Sequence, residues 1–204
     1  MRFRLAARLA GLALASALIA GTAQANPTWD PEGKYTGGAP GSGQGNWNFF
    51  GLGGGGSGPV SRQTVNIQTR ENPGTIIINT AERRLYYLVG NGQAIRYGIG
   101  VGRIGFTWAG VKHVSAKKEW PSWTPPSQML RRRPDLPRFM KGGLDNPLGA
   151  RAMYLGSTLY RIHGSNEPET IGQAVSSGCF RMTNEDVVDL YNRVRVGTKV
   201  IVQR

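Results

Sequence analysis

Three short runs rich in β-branched and aromatic residues follow one another in the first half of the chain: GTIIINT (74–80), RRLYYLV (83–89) and QAIRYGIGVG (93–102). Runs of this length between turn residues read as strands. Asn91-Gly92 separates the second from the third, and this dipeptide favours a tight hairpin because both positions tolerate positive φ. The stretch therefore predicts an antiparallel meander. AMYLG (152–156), TLYRIHG (158–164) and KVIVQ (199–203) return to strand character near the end. One segment changes period: Val187, Leu190, Tyr191 and Val194 recur at helical spacing. Thr183, with Asp186 three residues on, caps its start, which predicts a helix over 184–194 that Gly197 ends. Between the two halves, residues 120–149 carry Pro121, Pro125, Pro126, Pro134, Pro137 and Pro147. That density excludes regular helix or central strand. An irregular loop of this length inside a domain is a lid or a binding loop. The class is mostly β with one clear helix.

The first sixty residues obey a different pattern. Arg2, Arg4 and Arg8 precede an apolar run from Leu9 to about Gly21, then Ala23-Gln24-Ala25. This is the grammar of a signal peptide cleaved after Ala25, and the run is short for a span of about 20 residues. Twelve glycines then fall between Gly33 and Gly58, with few aliphatic side chains to bury. Such a segment cannot offset its ordering entropy and reads as a tether; the aromatic stretch NWNFFGL (46–52) interrupts it. The expected organisation is a signal peptide (1–25), a glycine-rich flexible linker (26–65) and one folded domain (66–204). Without its leader the protein has no transmembrane span and lies in the periplasm or cell envelope.

The 204 residues carry a formal charge of +13, and the excess is local. From Arg96 to Lys141 there are ten Lys or Arg against two acids, Glu119 and Asp135. Nucleic acid is the usual partner of such a balance, but an exported protein rarely meets it. Anionic envelope polymers, wall carboxylates or lipid headgroups fit better, as does a plain solubilising surface.

Cys179 is the only cysteine. Exported proteins tend to use cysteines in pairs, so a single thiol is either reactive or a small buried hydrophobe. His113 sits in a polar, basic context and reads as a surface residue. His163 ends an apolar strand sixteen residues before Cys179; there it is either a satisfied structural residue or a base that draws the proton from the thiol. Gly178 allows close backbone approach, and amides near a helix start would stabilise a thiolate or an oxyanion. One Cys and two distant His, without HExxH or CxxC, do not make a metal site, and no cofactor motif is present.

YRIHGSNEPETIGQAVSSGCFRMTNEDVVDLYNRVRVGTKVIV (160–202) resembles the catalytic core of the L,D-transpeptidases, cysteine enzymes of the bacterial cell wall. The family signature is His-Gly-Ser/Thr, a spacer, then Ser-His-Gly-Cys, an aliphatic residue and often Arg. His163-Gly164-Ser165 and Ser176-Ser177-Gly178-Cys179-Phe180-Arg181 fill these places. PSWTPP (121–126) and NPLGARAMYLG (146–156) resemble the family's lid and following strand. The resemblance covers about 70–203 and departs at Ser177, where most members have a second histidine, and more mildly at Phe180.

The resemblance implies a β-sandwich or barrel-like L,D-transpeptidase catalytic fold, with a prominent helix after the cysteine and a proline-rich lid. It implies that Cys179 attacks a peptidoglycan stem peptide, expels the terminal D-alanine and forms a thioester, with His163 as base and then acid. On the same basis the Gly164 carbonyl orients the imidazole, and the amides of Gly178 and Cys179 form an oxyanion hole. Arg181 then binds a stem-peptide carboxylate or makes a structural salt bridge; Ser176 bonds near the nucleophile or satisfies the turn. Carbapenems are expected inhibitors, and the acyl acceptor is a second stem peptide, an outer-membrane protein or water. Two other readings stand beside transfer: hydrolysis of the same bonds as a carboxypeptidase or endopeptidase, and a non-catalytic wall-binding module with an inert thiol.

Overall fold

The computed structural model describes residues 60–204. The expected signal peptide, the aromatic stretch 46–52 and the tether up to residue 59 lie outside the described residues. Within them the strands are β1 (Gln63–Asn66), β2 (Ile76–Asn79), β3 (Arg84–Gly90), β4 (Gln93–Gly98), β5 (Val101–Gly102), β6 (Gly110–Glu119), β7 (Arg151–Leu155), β8 (Arg161–His163), β9 (Ala174–Ser176), β10 (Phe180–Arg181) and β11 (Lys199–Gln203). Two α-helices, α1 (Ser127–Arg132) and α2 (Asn184–Arg193), complete the set with a 3-10 turn over Pro168–Thr170.

The meander expected from the three β-branched runs is β2-β3-β4. Its hairpin turns at Asn91 and Gly92, both with positive φ (52° and 69°), as a turn that follows the strand twist requires. The strands join one curled nine-stranded sheet in the order β1-β4-β3-β2-β11-β6-β7-β8-β10. The C-terminal strand β11 is the keystone. It runs parallel to β2 (Val200 beside Ile76) and antiparallel to β6 (Lys199 beside His113), which splices the two halves of the sequence into one sheet. β5 and β9 form a separate parallel pair.

Period-2 alternation puts one row of each strand into the core. Ile76, Ile78, Leu85, Tyr97, Met153, Leu155, Ile162, Phe180 and Val200 are fully or almost fully buried there. The helix α2 closes the core from the open side with Val187, Leu190 and Val194, and Tyr191 packs at the margin. The helical stripe read from the sequence is therefore the face that binds the sheet. Thr183 Oγ1 accepts from the Asp186 N–H, so the expected cap is in place.

Three expectations need correction. The linker boundary at residue 65 is too late, because Gln63, Thr64 and Val65 pair with β4, and Arg62 already reaches Asp186 and Asp189 on α2. The proline-rich stretch does contain a helix: α1 starts behind Pro126, which sits at the N-cap where no helical N–H is lost. Finally, α2 ends at Arg193; Gly197 instead takes positive φ (92°) in the turn that leads into β11.

Candidate active site

The proline-rich loop is organised by one buried amide. Asn146 is 1% exposed. Its Nδ2 donates to the carbonyls of Pro121 (3.1 Å) and Lys141 (2.8 Å), and its Oδ1 accepts from the Leu148 N–H. A reciprocal bridge between Trp123 and Met140 closes the loop on itself. Arg131, Arg132, Arg133, Arg138 and Lys141 are exposed on it. The Arg132 guanidinium lies 5.5 Å from the Phe106 ring centroid, with Arg103 on the same ring at 4.7 Å.

Phe106 leads directly to the cysteine. Its backbone packs under Gly178, where a Cβ would stand 3.1 Å from the Phe106 carbonyl and 2.6 Å from the Tyr160 ring. Gly178 also has φ of 105°. The position before the cysteine thus requires glycine twice, for its backbone region and for its lack of a side chain. Trp108 Nε1 donates to the Gly178 carbonyl at 2.9 Å, and Trp108 stacks on Tyr160 with ring centroids 4.6 Å apart. Ser176 is buried and ties the turn from within: its hydroxyl accepts from the Gly178 N–H (3.1 Å) and donates to the Cys179 carbonyl (2.6 Å).

Strand register sets Cys179 and His163 at neighbouring positions. β10 runs parallel to β8 with Phe180 beside Ile162 and Arg181 beside His163. Phe180 and Ile162 face the core. By alternation, Cys179, Arg181, Arg161 and His163 share the opposite face. Cys179 is partly exposed, and its Sγ lies 3.6 Å from the Leu159 carbonyl. Burial pushes the thiol up, while the Arg161 backbone N–H and the Arg161 and Arg181 guanidiniums draw it down.

His163 is 4% exposed and bonded through Nδ1 to the Gly164 carbonyl at 2.6 Å. A carbonyl only accepts, so Nδ1 carries the proton and Nε2 is left with a lone pair in the neutral ring. Burial, reinforced by Arg181 and Arg161, pushes this imidazole down to about 3, against the pull of the Gly164 carbonyl. At neutral pH the ring is therefore uncharged. Gly164 has no room for a side chain, since a Cβ would meet Asn184 Oδ1 and the Gly149 backbone. Asn184 Oδ1 in turn accepts from the Ala150 N–H at 2.9 Å, tying the start of α2 to the residue that precedes β7.

A family profile described as the L,D-transpeptidase catalytic domain (YkuD) matches residues 73–202. The chain belongs to that family. The match takes in both halves of the sheet, the lid, the histidine and the cysteine. Among curated relatives, proteins named Probable L,D-transpeptidase ErfK/SrfK and Probable L,D-transpeptidase YbiS, both of Escherichia coli strain K12, are 41% and 42% identical over 134 residues. Those alignments cover 61% of this chain and 42–43% of the relatives, so the chain spans less than half the length of the proteins it matches. Among solved structures, an L,D-transpeptidase from Mycobacterium smegmatis gives a TM-score of 0.52 at 19% identity, over 64% of this chain and 58% of that one. L,D-transpeptidase 3 from Mycobacterium tuberculosis, in complex with a faropenem-derived adduct, gives 0.51 at 19% over 64% and 60%. At such identity these two show the L,D-transpeptidase fold alone.

On this L,D-transpeptidase framework the residues singled out in the sequence fall into groups. Cys179, Gly178, Ser176, His163 and Gly164 gather at one junction of β8, β10 and the preceding turn. Arg181 is engaged by Glu167 at 2.8 Å, with the carboxylate about half exposed. The Gly178 N–H is occupied by Ser176, which leaves the Cys179 N–H as the other amide named for an oxyanion. Cys179 does not head a helix, because β10 stands between it and α2. Phe106, Trp108, Tyr160 and Arg161 escaped the sequence reading. Nothing in their local pattern marks them: register brings Arg161 to the cysteine, and the loop between β5 and β6 brings Phe106 and Trp108.

Proposed function

We propose that the protein is a peptidoglycan L,D-transpeptidase of the periplasm or cell envelope, acting through a Cys179 thioester. The observation that carries this reading is the Cys179–His163 pair on one face of the β8–β10 ladder, within a chain of the L,D-transpeptidase catalytic domain family. At rest both groups are neutral, a thiol and an imidazole with its Nε2 lone pair available. Cys179 gives its proton to Nε2 as the sulfur attacks the carbonyl of a tetrapeptide stem. The tetrahedral oxyanion takes the Cys179 N–H. His163 then returns the proton to the leaving D-alanine amine, and the thioester remains on the sulfur. An acceptor amine, deprotonated by the same imidazole, resolves the thioester in the second half.

The Gly164 carbonyl has two duties in this scheme. It selects the tautomer that can accept the thiol proton, and it stabilises the imidazolium that forms. Arg181, held by Glu167, acts as scaffold in the resting enzyme. Stem peptides are the donors, acceptors are a second stem peptide or an envelope protein amine, and no metal or cofactor takes part. Carbapenems are expected to acylate Cys179; the faropenem-derived adduct described for the M. tuberculosis relative, from a penem with the same kind of strained bicyclic β-lactam, favours this.

The test is incubation with purified disaccharide-tetrapeptides and mass identification of the products. Cross-linked dimers with released D-alanine are expected. Tripeptide alone would assign hydrolysis instead, and unchanged substrate would overturn the enzymatic reading.

A further inference from the structure

Arg161 stands directly beside the nucleophile, and no feature of the sequence motif accounts for it. In the β8–β10 ladder Phe180 pairs with Ile162, so one step back along both strands sets Cys179 next to Arg161. Ile162 and Phe180 turn into the core, which leaves the cysteine and the arginine side by side on the same outer face. The sulfur rests against this strip of chain, 3.6 Å from the Leu159 carbonyl.

The guanidinium differs from its two nearest arginine neighbours in its charge partners. Among the described residues no carboxylate pairs with it, whereas Arg151 and Arg181, its neighbours on this part of the sheet, are held by Glu119 and Glu167. It lies over the Tyr154 ring at 5.2 Å from the centroid, on the strand β7. Its Nε is buried with no hydrogen-bond partner. A buried N–H donor left unmatched carries a cost that an arriving acceptor removes. The sulfur, at the adjacent ladder position, becomes such an acceptor once it has lost its proton.

Resting on the reading of Cys179 as the nucleophile, we propose that Arg161 is a further catalytic residue, whose backbone N–H and guanidinium hold the Cys179 thiolate. The proton leaves Sγ for His163 Nε2, and the negative charge left on sulfur is matched by Arg161 until the carbon–sulfur bond forms. The division of labour follows from burial. His163 is enclosed and lies near two cations, so a standing thiolate–imidazolium pair is disfavoured. Arg161 supplies the permanent positive charge instead, and its influence on the thiol runs in the required direction. The other titratable or charged groups on the elements packed around the sulfur are His163 on β8, Arg181 on β10 with its partner Glu167, Tyr154 on β7 under Arg161, and Tyr160 ahead of β8.

The experiment is the pH profile of Cys179 alkylation by iodoacetamide, which reads thiolate formation without substrate. Wild type is compared with Arg161→Met, Arg161→Gln and Arg161→Lys, with thermal melts as the check on folding. Both neutral variants should move the titration to higher pH and slow alkylation at pH 7 at least tenfold, about tenfold per unit of displacement. Their limiting rate at high pH should stay within a few-fold of wild type. Arg161→Lys should recover most of the loss. Profiles of the neutral variants that overlay wild type, or a lysine variant no better than methionine, would overturn the assignment. Because no wall substrate is present, this outcome is independent of whether the product is a cross-link or a hydrolysed stem.

Discussion

A methyl group at residue 178 would have nowhere to go. Alanine there places its Cβ 2.6 Å from the Tyr160 ring and 3.1 Å from the Phe106 carbonyl, on a backbone with φ of 105°. The strained φ alone costs about 1–3 kcal/mol, and the contact must displace Tyr160 from its stack on Trp108. Gly178→Ala is therefore expected to lower the melting temperature and to slow acylation together. Normal acylation in a correctly folded Gly178→Ala protein would show that the turn is looser than its contacts imply. Ser177 carries no such constraint and is partly exposed. Ser177→Ala should leave turnover within a few-fold of wild type, as measured by D-alanine release. A large loss there would give Ser177 a role that neither its exposure nor its neighbours explain.

At the scale of elements, the lid is the part whose behaviour depends on charge. Arg131, Arg132, Arg133, Arg138 and Lys141 are exposed, and Asp135 is engaged by Arg133 at 2.6 Å. An anionic substrate captured by such a surface is screened over roughly 8–10 Å at ordinary ionic strength. KM on muropeptides should rise with added salt while kcat holds. A KM indifferent to salt would return these residues to a solubilising role. The elements also separate what the sequence discloses from what it hides. The start of α2 was legible because a cap is local: Thr183 and Asp186 lie within one turn of each other. The end of α2 was not, since glycine marks any tight backbone turn, and Gly197 serves the approach to β11. The short helix α1 hid behind its prolines, which forbid helix interiors but suit the position where one begins. Trp108, Tyr160 and Arg161 were invisible for a further reason. Arg161 comes to the cysteine through the parallel pairing of β8 with β10, while Trp108 reaches it from the loop between β5 and β6 and stacks on Tyr160, and no local pattern encodes either contact.

For the whole molecule, the contact of the N-terminal arm with α2 sets a pH response. Asp186 is fully buried at the start of α2 and faces Arg62 at 3.5 Å. Burial raises its carboxyl to about 6, opposed by Arg62 and helped by Asp189 and Glu185. The folded state therefore holds this proton more tightly than the unfolded chain. Stability from Asp186 is full below its ordinary value of 3.8 and is lost as pH rises through about 6. Asp186→Asn keeps the shape without the titration. It should equal or exceed wild type in melting temperature at pH 8, with the difference shrinking or reversing at pH 5. A constant difference across that range would mean that Arg62 fully compensates the buried charge. The same arm belongs to the fold, since Arg62 and most of β1 lie ahead of the boundary inferred from glycine content.

The central claim is that one sulfur carries the acyl group and one buried neutral imidazole takes its proton. Intact-protein mass after incubation with a carbapenem tests it most directly, on wild type, Cys179→Ala and His163→Ala. A single adduct should appear on wild type and be absent from Cys179→Ala. With His163→Ala it should form about 10²–10⁴-fold more slowly, the usual contribution of a positioned acid–base group. An adduct that persists in Cys179→Ala, or one that forms at wild-type speed in His163→Ala, would contradict the account.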